Sequence, residues 1–156
     1  MIKELGIIAL AYSCDVCHQS QSYIPNLDSQ SPAYIERRLH HFKINETESI
    51  MGRITQGLNE EEIKLLSVFF GDRSSSVIHK KRYENTYGKE IYEIKCKSCH
   101  NGSENSINIQ IQGRGYLVRT ITNFIYEDRY MPDAMRINLL SLSEDELSLL
   151  LDYLSK

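Results

Sequence analysis

Cys14-Asp15-Val16-Cys17-His18 and Cys96-Lys97-Ser98-Cys99-His100 are two copies of one five-residue pattern, and together they use all 4 cysteines of the chain. In this pattern two thiols add across the vinyl groups of a haem, and the adjacent imidazole is placed to become the proximal iron ligand. A chain of 156 residues with 4 Cys and 5 His would show the pattern by chance roughly 0.003 times. The pair therefore points to two covalently bound c-type haems. Cys14, Cys17, Cys96 and Cys99 are the expected thioether positions, and His18 and His100 the expected iron ligands.

Other uses of paired thiols fit less well. An all-thiolate zinc site would have to join two pairs separated by 78 residues, whereas such knuckles space their pairs by roughly fifteen to twenty. A thioredoxin-like redox pair needs a βαβ setting that neither motif has.

Each motif heads a repeat. Shifting the chain by 82 residues lays Gly6, Asn26, Gln30, Tyr34, Arg37 and Phe42 on Gly88, Asn108, Gln112, Tyr116, Arg119 and Phe124, in register with the cysteines and histidines. Beyond a two-residue insertion, Met51, Leu58, Glu60, Glu62, Leu65 and Leu66 fall on Met135, Leu142, Glu144, Glu146, Leu149 and Leu150. The chain reads as a duplicated unit with one haem per copy: a first domain over 1–72, a polar linker over 73–83 and a second domain over 84–156. Units of roughly 75 residues bury little apolar surface and commonly need a staple, which a thioether-linked haem would supply. The apo-chain is expected to fold poorly.

No strand alternation is convincing, so each unit reads as helices joined by long loops. A first helix over 2–13, repeated over 84–95, runs into the cysteines. Its Gly6 and Gly88 cost about 1 kcal/mol each relative to alanine, so a packing reason is expected: a close crossing with the last helix, near Phe69 and Tyr153. A second helix starts at Pro32 with Ser31 as its cap and ends near Lys43, placing Tyr34, Leu39 and Phe42 toward one face. The last helix is announced by two capping boxes, Asn59 to Glu62 and Ser143 to Glu146.

An electron-carrying haem needs a sixth ligand, and methionine sulfur raises the potential by favouring ferrous iron. Met51, 33 residues after His18, and Met135, 35 after His100, stand in the same register, each seven residues before a matched leucine. Met131 competes with Met135 for the second iron. The register prefers Met135 and leaves Met131 to pack on the haem face or flank a partner surface. His40 and His41 could make a bis-histidine site, but their counterparts Thr122 and Asn123 carry no imidazole. His79 falls in the linker and reads as solvated. Tyr34, Arg37 and Gln30, with their repeats Tyr116, Arg119 and Gln112, are spaced so that one helical face can collect them, and Tyr34, Arg37, Tyr116 and Arg119 are candidate donors to the haem propionates.

Net charge is −3 and unevenly spread: residues 1–73 carry 7 basic and 10 acidic side chains, and 74–156 carry 11 of each. There is no basic stripe of the kind nucleic acid requires. No apolar run approaches a membrane span, and Leu5 to Ala11 is too short and lacks the flanks of a complete signal peptide. Because haem is attached to such motifs outside the cytoplasm, a periplasmic protein is expected, its leader outside this numbering.

The run Pro25-Asn26-Leu27 through Gln30 and Tyr34, then Met51 and the helix start Leu58-Asn59-Glu60-Glu61, resembles the dihaem cytochrome c4 superfamily. Ile50-Met51-Gly52-Arg53-Ile54 and Arg129-Tyr130-Met131-Pro132-Asp133-Ala134-Met135 resemble the cytochrome subunit of flavocytochrome c sulfide dehydrogenase more specifically. Gln19 and Asn101 depart from the glycine usual after the histidine, and Ile107 stands in place of the second loop's proline. The resemblance implies an all-α fold of two tandem class I cytochrome c domains holding two haem c groups. It further implies an electron-accepting subunit in a heterodimer. Electrons would come from the FAD of a flavoprotein partner that oxidises sulfide and leave to a soluble acceptor such as a small cytochrome c. The chain would not be an enzyme on its own. The alternatives are a free cytochrome c4-like shuttle to a terminal oxidase, or an independent dihaem enzyme, which would need the open coordination site that two methionines in register argue against.

Overall fold

A computed structural model describes residues 2–18, 23–74, 85–127 and 129–155, with side chains from Leu5 onward. Gln19, His79 and linker positions 75–83 lie outside the described residues. Regular structure among the described residues is entirely helical. The first half comprises α1 (Ile2–Asp15), α2 (Pro32–Asn45), α3 (Ile50–Gln56) and α4 (Glu60–Asp72). The second comprises α5 (Thr86–Ile91), continued as a π-helical turn over Tyr92–Cys96, then α6 (Arg114–Tyr126), α7 (Asp133–Leu140) and α8 (Glu144–Leu154).

The helix ends follow local chemistry. Ser31 caps α2 by accepting from the Tyr34 amide, with Pro32 at the first position where a missing N–H costs nothing. Both expected capping boxes form: Asn59 and Glu62 exchange hydrogen bonds at the start of α4, as do Ser143 and Glu146 at the start of α8. Each half then buries its own core. Ala11, Ile35, Leu58, Ile63, Leu66 and Phe70 pack together in the first half. In the second half Ile91, Tyr92, Leu117, Leu150 and Tyr153 make the equivalent cluster, with the Tyr92 and Tyr153 rings 5.8 Å apart.

Three features differ from the sequence reading. Met51 and Met135 stand on short helices, α3 and α7, where a loop was expected ahead of the last helix. The run into the second motif is not a plain α-helix: the Lys97 amide reaches back five residues to the Tyr92 carbonyl at 2.8 Å, a π-bulge of the kind that gathers at functional sites. The two glycines of the first helix also diverge. A Cβ on Gly88 would sit 2.3 Å from the Leu149 carbonyl oxygen, so the close crossing exists there, against backbone and not against Tyr153. Gly6 is exposed, and a Cβ on it would meet nothing within 4 Å.

The halves meet through repeat-related partners. Asn26 and Gln112 exchange hydrogen bonds: the Asn26 amide donates to Gln112 Oε1 at 2.8 Å, and Gln112 Nε2 donates to the Asn26 carbonyl at 3.0 Å. The mirrored pair repeats this, with the Asn108 amide donating to Gln30 Oε1 at 3.0 Å and Gln30 Nε2 to the Asn108 carbonyl at 3.3 Å. Residue i of one half meets j of the other and j meets i, which is the signature of a two-fold interface.

Candidate haem sites

Each motif closes the end of a helix. The amides of Cys17 and His18 turn back onto the Cys14 carbonyl, at 3.1 and 3.0 Å. Those of Cys99 and His100 do the same to Cys96, at 3.2 and 2.9 Å. In both turns the first cysteine is half-buried and the second exposed. Burial raises the Cys14 thiol above its ordinary value and pushes Cys96 up to about 11, so both are neutral thiols at pH 7.

The two histidines are held identically. His18 Nδ1 lies 2.7 Å from the Pro25 carbonyl oxygen, and His100 Nδ1 lies 2.9 Å from that of Ile107, each seven residues on. A carbonyl can only accept, so Nδ1 carries a proton in both rings, which leaves Nε2 as the nitrogen that would ligate iron in the neutral ring. That is the tautomer a metal-ligating histidine needs, with the ring orientation fixed by an outer hydrogen bond. Burial lowers the His18 imidazole below its ordinary value, which keeps it neutral and available as a ligand. The donor set therefore fits a c-type haem in each half: two thiols on one turn and an adjacent imidazole whose Nδ1 is held by a carbonyl, leaving Nε2 for the metal. Replacing proline by Ile107 leaves this geometry intact, since only the carbonyl is used.

The remaining candidates are placed as follows. Met51 is half-buried near the start of α3, and Met135 half-buried near the start of α7. Met131 is 2% exposed, in the segment that leads into α7. Gly52, beside Met51, is required by packing: a Cβ there would fall 2.0 Å from the Glu46 carbonyl oxygen. His40 Nε2 faces Glu60 at 3.5 Å and His41 Nε2 faces Glu46 at 2.9 Å, so both imidazoles are engaged with surface carboxylates.

The expected propionate donors reach across the molecule. Arg37 donates to the Glu104 carbonyl, in the loop that follows His100. Tyr116 and Arg119 line a cleft of about 220 Å³ together with Tyr23 and Pro25 of the first half. Burial first, and the neighbouring Tyr116 second, push the Tyr34 phenol above its ordinary value. Gln30 and Gln112 do not share the helical face expected of them. Gln30 precedes the α2 cap and Gln112 precedes α6, and their amides are committed to the opposite half.

A residue absent from the sequence reading completes the first site. Arg73 Nη1 and Nη2 grip both Asp15 carboxylate oxygens at 2.7 and 2.6 Å, while Nε donates to Asp28 Oδ1 at 2.6 Å. Its guanidinium also stands 4.8 Å from the centre of the Phe70 ring. Arg73 thereby ties the middle of the first cysteine motif to the end of α4 and to the loop after Pro25. Asp15 corresponds to Lys97 in the second half, which faces Glu93 at 3.6 Å instead, so the clamp is not duplicated. The only sequence signal for it was an acidic residue inside the motif.

The chain is 41% identical over 70 residues to the cytochrome subunit of sulfide dehydrogenase of Chlorobaculum tepidum. The match covers 42% of this chain and 64% of that protein's length. The solved structure of Acidithiobacillus ferrooxidans cytochrome c4 superposes with a TM-score of 0.72, covering 93% of this chain and 98% of that one at 21% identity. No family model matches the chain. The fold is that of cytochrome c4: all-helical, with two class I cytochrome c-type domains in tandem.

Proposed function

We propose that the chain is a dihaem c-type cytochrome that transfers electrons, with His18 and Met51 as axial ligands of one iron and His100 and Met135 of the other. The observation that carries this reading is the duplicated imidazole geometry, Nδ1 to a carbonyl seven residues on, beside both thiol pairs. Haem iron bound in this way supplies one-electron oxidation and reduction. The chain's own part is to tether each group through Cys14 and Cys17 or Cys96 and Cys99, and to fix the imidazole tautomer. The methionine sulfurs would hold the sixth positions. Tyr34, Arg37, Tyr116 and Arg119 would donate to propionates near the junction of the halves.

We further infer that it serves as the electron-accepting subunit of a flavocytochrome c sulfide dehydrogenase in the periplasm. It would receive electrons from the FAD of a flavoprotein partner and pass them to a soluble acceptor such as a small cytochrome c. Identity to the Chlorobaculum tepidum subunit supports this. So do the exposed side chains Tyr126, Tyr130 and Ile137, near the Met131 to Met135 run in sequence, which a partner could cover. Sulfide chemistry itself would lie in the flavoprotein, not in this chain. Among the described residues no helix is long and apolar enough to cross a membrane.

A second reading, a free cytochrome c4-like shuttle to a terminal oxidase, draws on the near-complete overlap with the Acidithiobacillus structure. Affinity purification of the holoprotein from native periplasm separates the two. Recovery of a flavoprotein in 1:1 complex supports the subunit, whereas a monodisperse monomer without flavoprotein supports the shuttle.

A further inference from the structure

The amide pairs between the halves begin one bond away from the groups that hold the histidines. The peptide group joining Pro25 to Asn26 accepts from His18 Nδ1 at its carbonyl, 2.7 Å away, and donates its N–H to Gln112 Oε1, 2.8 Å away. The peptide group joining Ile107 to Asn108 accepts from His100 Nδ1 at 2.9 Å and donates to Gln30 Oε1 at 3.0 Å. One short chain of hydrogen bonds therefore runs from each imidazole, through a single peptide, to a glutamine of the opposite half. Asn26, Gln30 and Gln112 are 1–2% exposed and Asn108 is half-buried, so these bonds are largely shielded from water and polarise one another.

We propose that Gln112 and Gln30 are crossed positioning residues: Gln112 tunes the iron ligated by His18, and Gln30 tunes the iron ligated by His100. This rests on the reading of both histidines as proximal ligands. An acceptor on the peptide N–H makes its carbonyl more negative and a stronger acceptor for the imidazole Nδ1–H. The imidazole becomes a better electron donor at Nε2, which favours ferric over ferrous iron and lowers the potential. The second contact of each glutamine, from Nε2 to the carbonyl of Asn26 or Asn108, fixes the amide so that oxygen and not nitrogen faces the peptide N–H. The arrangement also gives each haem site a physical connection to the other half, since disturbing either amide pair disturbs one imidazole.

Plain interface packing and crossed tuning give different results in redox titrations of the holoprotein, followed through the haem-methyl proton resonances assigned to each half. Gln112→Met removes the acceptor at Asn26 and is expected to raise the midpoint potential of the His18 site alone, while weakening the hydrogen bond seen in the His18 Nδ1–H resonance. Gln30→Met is expected to raise the potential of the His100 site alone. Gln112→Asn and Gln30→Asn withdraw the amide by one methylene while keeping the pocket polar, and carry the same crossed test should a methionine variant fail to fold. Equal movement of both potentials, movement of neither, or movement of the site in the mutated half would overturn the proposal. A wild-type chain without two bound haems by pyridine haemochrome assay would instead overturn the functional reading on which it stands.

Discussion

Gly88 crosses the backbone of Leu149 with no room for a side chain: a Cβ would lie 2.3 Å from the Leu149 carbonyl oxygen, an atom that cannot swing away. Its repeat partner Gly6 stands in open space. Gly88→Ala should destabilise the second half by about 1–3 kcal/mol through forced separation of α5 and α8. Gly6→Ala should stabilise by up to about 1 kcal/mol through helix propensity. Denaturant midpoints of the two holo-variants, read by circular dichroism, would move in opposite directions.

Arg73 is the counter-charge for both Asp15 and Asp28. Arg73→Met keeps the apolar stem over Phe70 but leaves two partly buried carboxylates facing one another. A loss of about 2–3 kcal/mol is expected, below the full cost of a buried pair because the guanidinium is partly exposed. Hydrogen exchange should accelerate around residues 14–18 and 26–28 while α6 to α8 keep their protection; uniform acceleration would refute a local clamp.

The Ser143 backbone amide holds the Glu146 carboxylate below its ordinary value of 4.5. The ionised form is therefore favoured by the fold, so its contribution is complete above pH 4.5 and is lost as pH falls through the lower folded value. Glu146→Gln retains an acceptor for the cap and should flatten this part of the acid dependence of thermal stability. An unchanged acid profile in the variant would place the dependence elsewhere.

Much of this arrangement was legible in the chain. The cysteine motifs, the 82-residue repeat and the two capping boxes are local patterns whose chemistry acts over a few residues, and α2, α4 and α8 start where their caps stand. The short helices α3 and α7 were not legible, because seven or eight residues give too little periodicity and Gly52 reads as a breaker until the Glu46 carbonyl beside it is seen. The inter-half amides were hidden for another reason. A repeat shows that Asn26 matches Asn108 and Gln30 matches Gln112, but not that each pairs with the opposite copy. Four amides in matched positions were the available signal, and spacing assigned Gln30 and Gln112 to a helical face with Tyr34, Arg37 and their repeats instead. Arg73 was passed over because the comparison of halves, which suggested the proposed ligands, gave no reason to single it out.

The central claim, histidine–methionine ligation at both irons, is tested most directly by the far-red charge-transfer band from methionine sulfur to ferric iron. In the oxidised wild-type holoprotein the band should be present at full strength. Met51→Ala and Met135→Ala should each halve it and open one site to exogenous ligands, while Met131→Ala should leave it whole. A band halved by Met131→Ala and untouched by Met135→Ala would contradict the assignment of the second ligand. A band absent from the wild type would contradict the account of both sites.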